Sequence, residues 1–170
     1  MIILSIGSNL SSKYGNRFEN INLSISLLEG YGIKLIKRSS FYETPSYPNN
    51  KNPKFINVAI NVSTQLSTTD LASVIIFIEE KLERKRNLKN DPRTCDIDII
   101  DYKSKIVNFK YKNLQFKVPH EKLSKRNFVL IPLMEILPKW KHPLTKEPIN
   151  LLCGKLSDED KNSILKVKKP

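Results

Sequence analysis

Residues 55–64 alternate without a break: Ile56, Val58, Ile60 and Val62 on one side, Phe55, Asn57, Ala59 and Asn61 on the other. Period two is the signature of a strand with one face in a core. The same reading makes Met1–Ile6 a first strand, ended by Gly7-Ser8-Asn9, and Ile33–Tyr42 a second. Phe18, Ile21, Ile25 and Leu28 recur at three- and four-residue steps, which predicts a helix with Gly30 near its end. Ser67-Thr68-Thr69-Asp70 offers an N-cap to a second helix, whose stripe is Leu71, Val74, Ile75, Ile78 and Leu82. Thr44–Lys54, rich in Pro and Asn, reads as a loop. Arg84–Asp91 is polar and basic, and reads as a mobile loop before another strand that starts near Thr94. Ile106–Val107 and Leu114–Val118 suggest a hairpin. A last helix is expected over Ile131–Leu137, with Pro132 in its first turn. Lys161–Pro170 is expected to fray.

The order strand, helix, strand, strand, helix, strand is the βαββαβ unit of a ferredoxin-like α+β fold, with a largely antiparallel sheet and packed helices. At 170 residues one domain is expected, over 1–160, followed by a tail at 161–170. That fold hosts many unrelated functions, so only individual residues can point to one.

Net charge is +12, which raises nucleic-acid binding as a function class. Only six of the 29 basic residues are arginine, however, and the lysines are scattered singly along the chain. A ferredoxin-like RNA-binding module would show aromatics on its central strands. Phe55 is the only aromatic on the third strand, and no RNP-type string exists. Cys95 and Cys153 lie far apart without CxxC spacing, so neither a zinc site nor a disulfide framework is suggested. The apolar start is too short for a signal peptide, and no apolar run reaches the length of a membrane span. A cytoplasmic protein, without nucleic-acid or membrane partners and favoured as a monomer, is the simplest expectation.

The richest stretch is Pro92-Arg93-Thr94-Cys95-Asp96-Ile97-Asp98-Ile99. Alternation sends Ile97 and Ile99 inward and leaves Asp96 and Asp98 together on the other face, about 6.8 Å apart along the strand. Paired carboxylates repel one another and gain nothing structurally, so removing either is expected to cost the fold nothing. They can converge on one or two hard cations, and Arg93 beside them suits a nucleotide polyphosphate with Mg²⁺. The bland alternative is a solvated edge strand bearing two exposed acids.

Taken in order, the motifs are Ile6-Gly7-Ser8-Asn9-Leu10, Ser39–Pro45, Phe55-Ile56-Asn57, Ile78-Glu79, Arg84-Lys85-Arg86, Pro92-Arg93-Thr94 with Asp96-Ile97-Asp98, Val118-Pro119-His120, and Arg126-Asn127-Phe128-Val129-Leu130. Across nearly the whole chain this resembles the 6-hydroxymethyl-7,8-dihydropterin pyrophosphokinase family. The resemblance implies transfer of pyrophosphate from ATP to the pterin hydroxymethyl group, with release of AMP. It implies that Asp96 and Asp98 hold two Mg²⁺ ions. Arg84, Arg86, Arg93, His120 and Arg126 would bind the ATP, with Arg84 and Arg93 among the catalytic residues. Phe55 and Phe128 would stack on the pterin, Asn57 would read its ring edge, and Thr44, Pro45 and Tyr47 would complete that edge. Glu79 matches a position near the active site; an ordinary exposed glutamate is the other reading. His142, between Lys141 and Pro143, is expected to do nothing chemical.

Departures from the family pattern gather in one place. Asn90 and Asp91 stand where relatives carry an aromatic and a glycine, Glu83 replaces a usual glycine, and Glu121 follows the histidine where some relatives have an aromatic. A family member inactivated by this altered lid is therefore a rival to the active enzyme, as is the basic nucleic-acid-binding module.

Overall fold

The computed structural model describes residues 1–86 and 91–170. Two interleaved sets of apolar side chains build it. On β1 (Ile2–Ser8), β4 (Phe55–Ser63) and β5 (Asp96–Tyr102), one face carries Ile2, Leu4, Ile6, Ile56, Val58, Ile60, Val62, Ile97 and Ile99. These pack against the stripes of α1 (Arg17–Gly30) and α2 (Thr68–Lys81), the second of which starts at the cap its sequence offers. Asn16 closes a capping box with Glu19, and Ser67 accepts the Asp70 N–H.

The opposite face is only half covered. Ile3, Ala59 and Ile100 join a second core with α3 (Asn127–Ile136) and α4 (Ile149–Gly154). Toward the ends of the three strands the same face carries Gly7, Asn57, Asp96 and Asp98 instead. Polar side chains there and apolar ones under α3 divide one sheet face into a core half and an open half.

The sheet order is β5-β1-β4-β3-β8, where β3 is Phe41–Thr44 and β8 is Leu165–Val167, with β2 (Lys34–Arg38) also on β4, and these pairings are antiparallel. This is the expected α+β architecture. A separate hairpin, β6 (Val107–Tyr111) and β7 (Leu114–Val118), stands beside β5. Among the described residues no helix is long and apolar enough to cross a membrane. Both cysteines are buried and free.

Three expectations need correction. The strand predicted over 33–42 is two segments, β2 and β3 (Phe41–Thr44), both on β4. At the break, Ser39 donates its N–H to Ala59 O, while its hydroxyl accepts the Ala59 N–H that a continuous ladder would pair with backbone. The last long helix starts at Asn127, so Pro132 is interior, not in the first turn. Proline there removes the bond to Phe128 O and costs ~3 kcal/mol in a free helix; burial of Val129, Leu130, Leu133 and Ile136 outweighs it. The tail is not simply frayed. α5 (Asp158–Asn162) is followed by β8 (Leu165–Val167), which pairs with β3. Asn127 Nδ2 donates to Asp160 O and Ser163 Oγ, which delivers the chain to that edge.

Trp140, far from the paired aspartates in sequence, donates Nε1–H to the buried Asp101 at 2.8 Å. His142 serves its own loop, its Nδ1 accepting the N–H groups of Leu144 and Thr145.

Candidate active site

The open half of the sheet face is where the sequence-predicted residues gather. Gly7 lies across from Asp96 on one side and Asn57 on the other. A Cβ at Gly7 would meet Asn57 Oδ1 at 3.0 Å and Phe55 Cδ1 at 3.4 Å, so the glycine makes room for that amide and ring.

The two aspartates are not an isolated repelling pair. Asp96 accepts from Arg84 NH1 at 2.7 Å and from Arg93 Nε at 2.7 Å, and Asp98 accepts from Arg126 NH1 at 2.8 Å. Arg84 also pairs with Glu79, as does Arg86. Glu79 is 2% exposed, which overturns the exposed-glutamate reading. Its Oε1 additionally accepts the Ile97 N–H at 2.8 Å, tying α2 to the free edge of β5. Arg86, Glu79, Arg84, Asp96 and Arg93 therefore alternate in one network beside the separate Arg126–Asp98 pair, and the expectation that the acids do nothing for the fold fails for Asp96.

Local structure explains how Arg84 arrives there. α2 ends in a turn in which Arg84 N–H bonds Glu79 O and Glu83 N–H bonds Glu80 O. Glu83 takes φ +66°, the left-handed conformation that closes such a turn and that glycine adopts most readily. Its side chain accepts the Lys13 N–H at 3.0 Å.

Ionisation follows the same geometry. Burial pushes the Glu79 carboxyl up to about 7, with Arg84 and Arg86 pulling the other way. For Asp96, desolvation by the surrounding protein opposes ionisation, but Arg84 and Arg93 reverse it and hold the carboxyl at about 2. An acid whose pKa is raised on folding binds more protons in the native state between its two pKa values. Glu79 should therefore make the ligand-free protein lose stability as pH rises from about 4.5 to about 7, with no further loss above. Denaturant melts of wild type and Glu79→Gln across pH 4–8 check this: the stability difference should fall through that window and then level. A constant difference would show that the arginines hold Glu79 ionised throughout.

The expected pterin-site residues come together in part. Asn57 Nδ2 donates to Thr44 Oγ1 at 3.0 Å, and Thr44 pairs with Phe55 across β3–β4. Arg93 lies over the Phe55 ring at 5.1 Å, and Arg126 over the Phe128 ring at 5.4 Å. Each arginine thus touches one aspartate and one aromatic ring. Pro45 is exposed, and Tyr47 is 87% exposed, so Tyr47 stands in solvent rather than against the amide and rings.

His120 follows a cis Val118–Pro119 bond and accepts the Lys122 N–H at Nδ1. Burial lowers its pKa, and the Asp98 carboxylate opposes that. It lines a cleft of ≈ 180 Å³ between β5 and the hairpin, together with Arg84, Arg86, Asp96 and Asp98. Ile75, Ile99, Leu114 and Phe116 give the cleft an apolar end. Asn90, the altered lid position, lies outside the described residues; Asp91 O accepts from Arg93 NH1 at 3.2 Å.

Asp96 and Asp98 offer the hard oxygens that Mg²⁺ prefers. No group of three or more His, Cys, Asp or Glu residues suited to a metal occurs among the described residues. An ion held by these two aspartates would take its other ligands from water or from a bound anion, which is the usual manner of Mg²⁺ with phosphates.

Comparison with known proteins identifies a family. The family described as 7,8-dihydro-6-hydroxymethylpterin-pyrophosphokinase (HPPK) matches residues 3–138. A 2-amino-4-hydroxy-6-hydroxymethyldihydropteridine pyrophosphokinase of Aquifex aeolicus is 33% identical over 148 residues, covering 87% of each chain. A folate synthesis bifunctional protein of Arabidopsis thaliana is 36% identical over 138 residues, 80% of this chain and 27% of that protein. The chain thus spans only about a quarter of this longer relative. Among solved structures, an HPPK-DHPS A437G chain of Plasmodium falciparum with STZ-DHP superposes with a TM-score of 0.73 at 16% identity. That match covers 91% of this chain and 45% of the other, and it speaks to the fold.

Proposed function

The chain belongs to the 7,8-dihydro-6-hydroxymethylpterin-pyrophosphokinase (HPPK) family, and from that premise we propose that it transfers the β,γ-pyrophosphoryl group of ATP to the hydroxymethyl oxygen of 6-hydroxymethyl-7,8-dihydropterin. The new bond joins that oxygen to the β-phosphorus, the bond from the β-phosphorus to the α-phosphate oxygen breaks, and AMP leaves. One observation carries the reading. Asp96 and Asp98, each paired with arginine, share an open sheet face with an aromatic ring and a buried amide.

Transfers of this kind are driven by positioning and charge neutralisation rather than covalent help. Arg84, Arg86 and His120 line the cleft, Arg93 and Arg126 pair with its two aspartates, and together they would hold the triphosphate. Phe55 and Phe128 supply flat apolar faces for the bicyclic ring, and Asn57 with Thr44 supplies the donor and acceptor pattern for its edge. The exposed Tyr47 and Pro45 would contact the pterin only if their loop moves inward. Asp96 and Asp98 would hold two Mg²⁺ ions, whose chemistry there is to neutralise triphosphate oxygens and acidify the attacking hydroxyl. We place this reaction in the cytoplasm, which suits the two buried free thiols.

The decisive measurement is to mix the protein with ATP, Mg²⁺ and 6-hydroxymethyl-7,8-dihydropterin and follow AMP. AMP formed only when all three are present supports the proposal. ATP and pterin binding without turnover would instead identify a member inactivated at its altered lid. Retention on polyanions that vanishes at modest salt, with no response to either substrate, would restore the nucleic-acid module.

A further inference from the structure

Asn9, at the end of β1, is 2% exposed and belongs to neither the phosphate-facing nor the pterin-facing set of residues. Both of its Nδ2 donors and its Oδ1 acceptor are engaged, and the partners lie on opposite sides of the site. Its Oδ1 accepts the backbone N–H of Arg93 at 2.7 Å, and its own N–H returns a bond to Arg93 O at 3.0 Å. Its Nδ2 donates to Ser46 Oγ at 3.2 Å and to Pro53 O at 3.0 Å. Ser46 Oγ donates in turn to Pro53 O at 2.6 Å, so the neck of the 44–54 loop closes on this one amide. That loop links Thr44 to Phe55.

We propose that Asn9 is a positioning residue that sets the pterin-side loop against the backbone of Arg93, so that the two substrates meet in register. This rests on the reading under Proposed function. Arg93 places its guanidinium on Asp96 and the Phe55 ring and its backbone on Asn9. Its guanidinium can exchange Asp96 and the Phe55 ring for phosphate, whereas its N–H and C=O remain bonded to Asn9. The loop neck is bonded to the same side chain. The distance between the arginine's root and the Thr44–Phe55 wall is therefore set by a single amide. An amide is the side chain that can do this, since it accepts on one side and donates twice on the other.

Asn9→Asp separates the two halves of the role. An aspartate keeps the acceptor for Arg93 N–H and can accept from the Ser46 hydroxyl, but when ionised it turns an oxygen toward Pro53 O. The pterin KM should rise about tenfold, with the ATP KM within about twofold of wild type. Protonation restores a donor, so the pterin defect should shrink as pH falls from 8 to 5. Asn9→Ala, which also abandons the Arg93 N–H, should raise both KM values at every pH. Equal effects of Asn9→Asp on both substrates, or on neither, would overturn the proposal. So would a pterin defect that ignores pH. If Asn9→Asp does not fold, Ser46→Ala replaces it, with a pterin KM raised two- to fivefold and the ATP KM unchanged expected; an unchanged pterin KM would count against the role. Wild-type protein that fails to bind the pterin in the presence of Mg²⁺ and an ATP analogue would instead sink the functional reading itself, and this inference with it.

Discussion

Asp96→Ala and Asp98→Ala should each reduce AMP formation by roughly 10³-fold or more, because hard-ion stabilisation of a phosphoryl transfer is worth several kcal/mol. Among the described residues no third carboxylate stands ready to replace either one: Glu79 is committed to Arg84, Arg86 and the Ile97 N–H. The two variants should part company in stability. Arg84 is only 12% exposed and bridges Glu79 and Asp96, so Asp96→Ala leaves a largely buried cation with half its partners. A loss of about 1–2 kcal/mol follows, or roughly 2–8 °C in Tm. Among the described residues Asp98 pairs with Arg126 alone, and both side chains keep more contact with solvent. Asp98→Ala should therefore melt within about 0.5 kcal/mol of wild type. Turnover close to wild type in saturating Mg²⁺, for either variant, would refute the metal assignment. Equal melting temperatures for the two would refute the network as a stabilising element.

That asymmetry could not be seen in the sequence, and the reason is physical. The alternation of β5 states which face Asp96 and Asp98 share, but not who stands opposite. Arg84 reaches Asp96 only because α2 ends in a left-handed turn at Glu83, a position where a glutamate gives no warning of one. Glu79 was ambiguous for the same reason. It sits at the margin of the stripe formed by Leu71, Ile75 and Ile78, and its burial depends on partners beyond the helix.

Long local patterns were legible: β4 and the α1 and α2 stripes follow from their period, and the start of α2 from its cap. Short or uniformly apolar ones were not. Leu165-Lys166-Val167 is too brief for any period, and its partner β3 lies more than a hundred residues earlier. Asn127–Ile136 is apolar on nearly every side, so periodicity marks neither its start nor Pro132's place within it. Asn9 read as a turn residue, since an amide's partners are tertiary.

Mg²⁺ with a non-hydrolysable ATP analogue should tighten pterin binding about five- to fiftyfold, and the structure supplies the reason. In the ligand-free protein Arg93 covers the Phe55 ring while pairing with Asp96, and Arg126 covers the Phe128 ring while pairing with Asp98. A flat ligand must displace both cations before it can stack. A cation over an aromatic face is worth ~0.5–1 kcal/mol when exposed and about 2 when desolvated. Two such contacts, removed beforehand by the triphosphate, account for a coupling of roughly 1–2.3 kcal/mol, equivalent to about five- to fiftyfold in affinity. The coupling is reciprocal, so pterin should tighten the nucleotide by the same factor. Calorimetry in both orders measures it. Arg126→Met separates this cause from general ordering of the site. With the Phe128 face uncovered, the ligand-free variant should bind pterin more tightly than ligand-free wild type, and the gain on adding nucleotide should shrink. Equal pterin affinity with and without the analogue would show that the arginines leave those rings at no cost, and the stacking faces would have to be sought elsewhere.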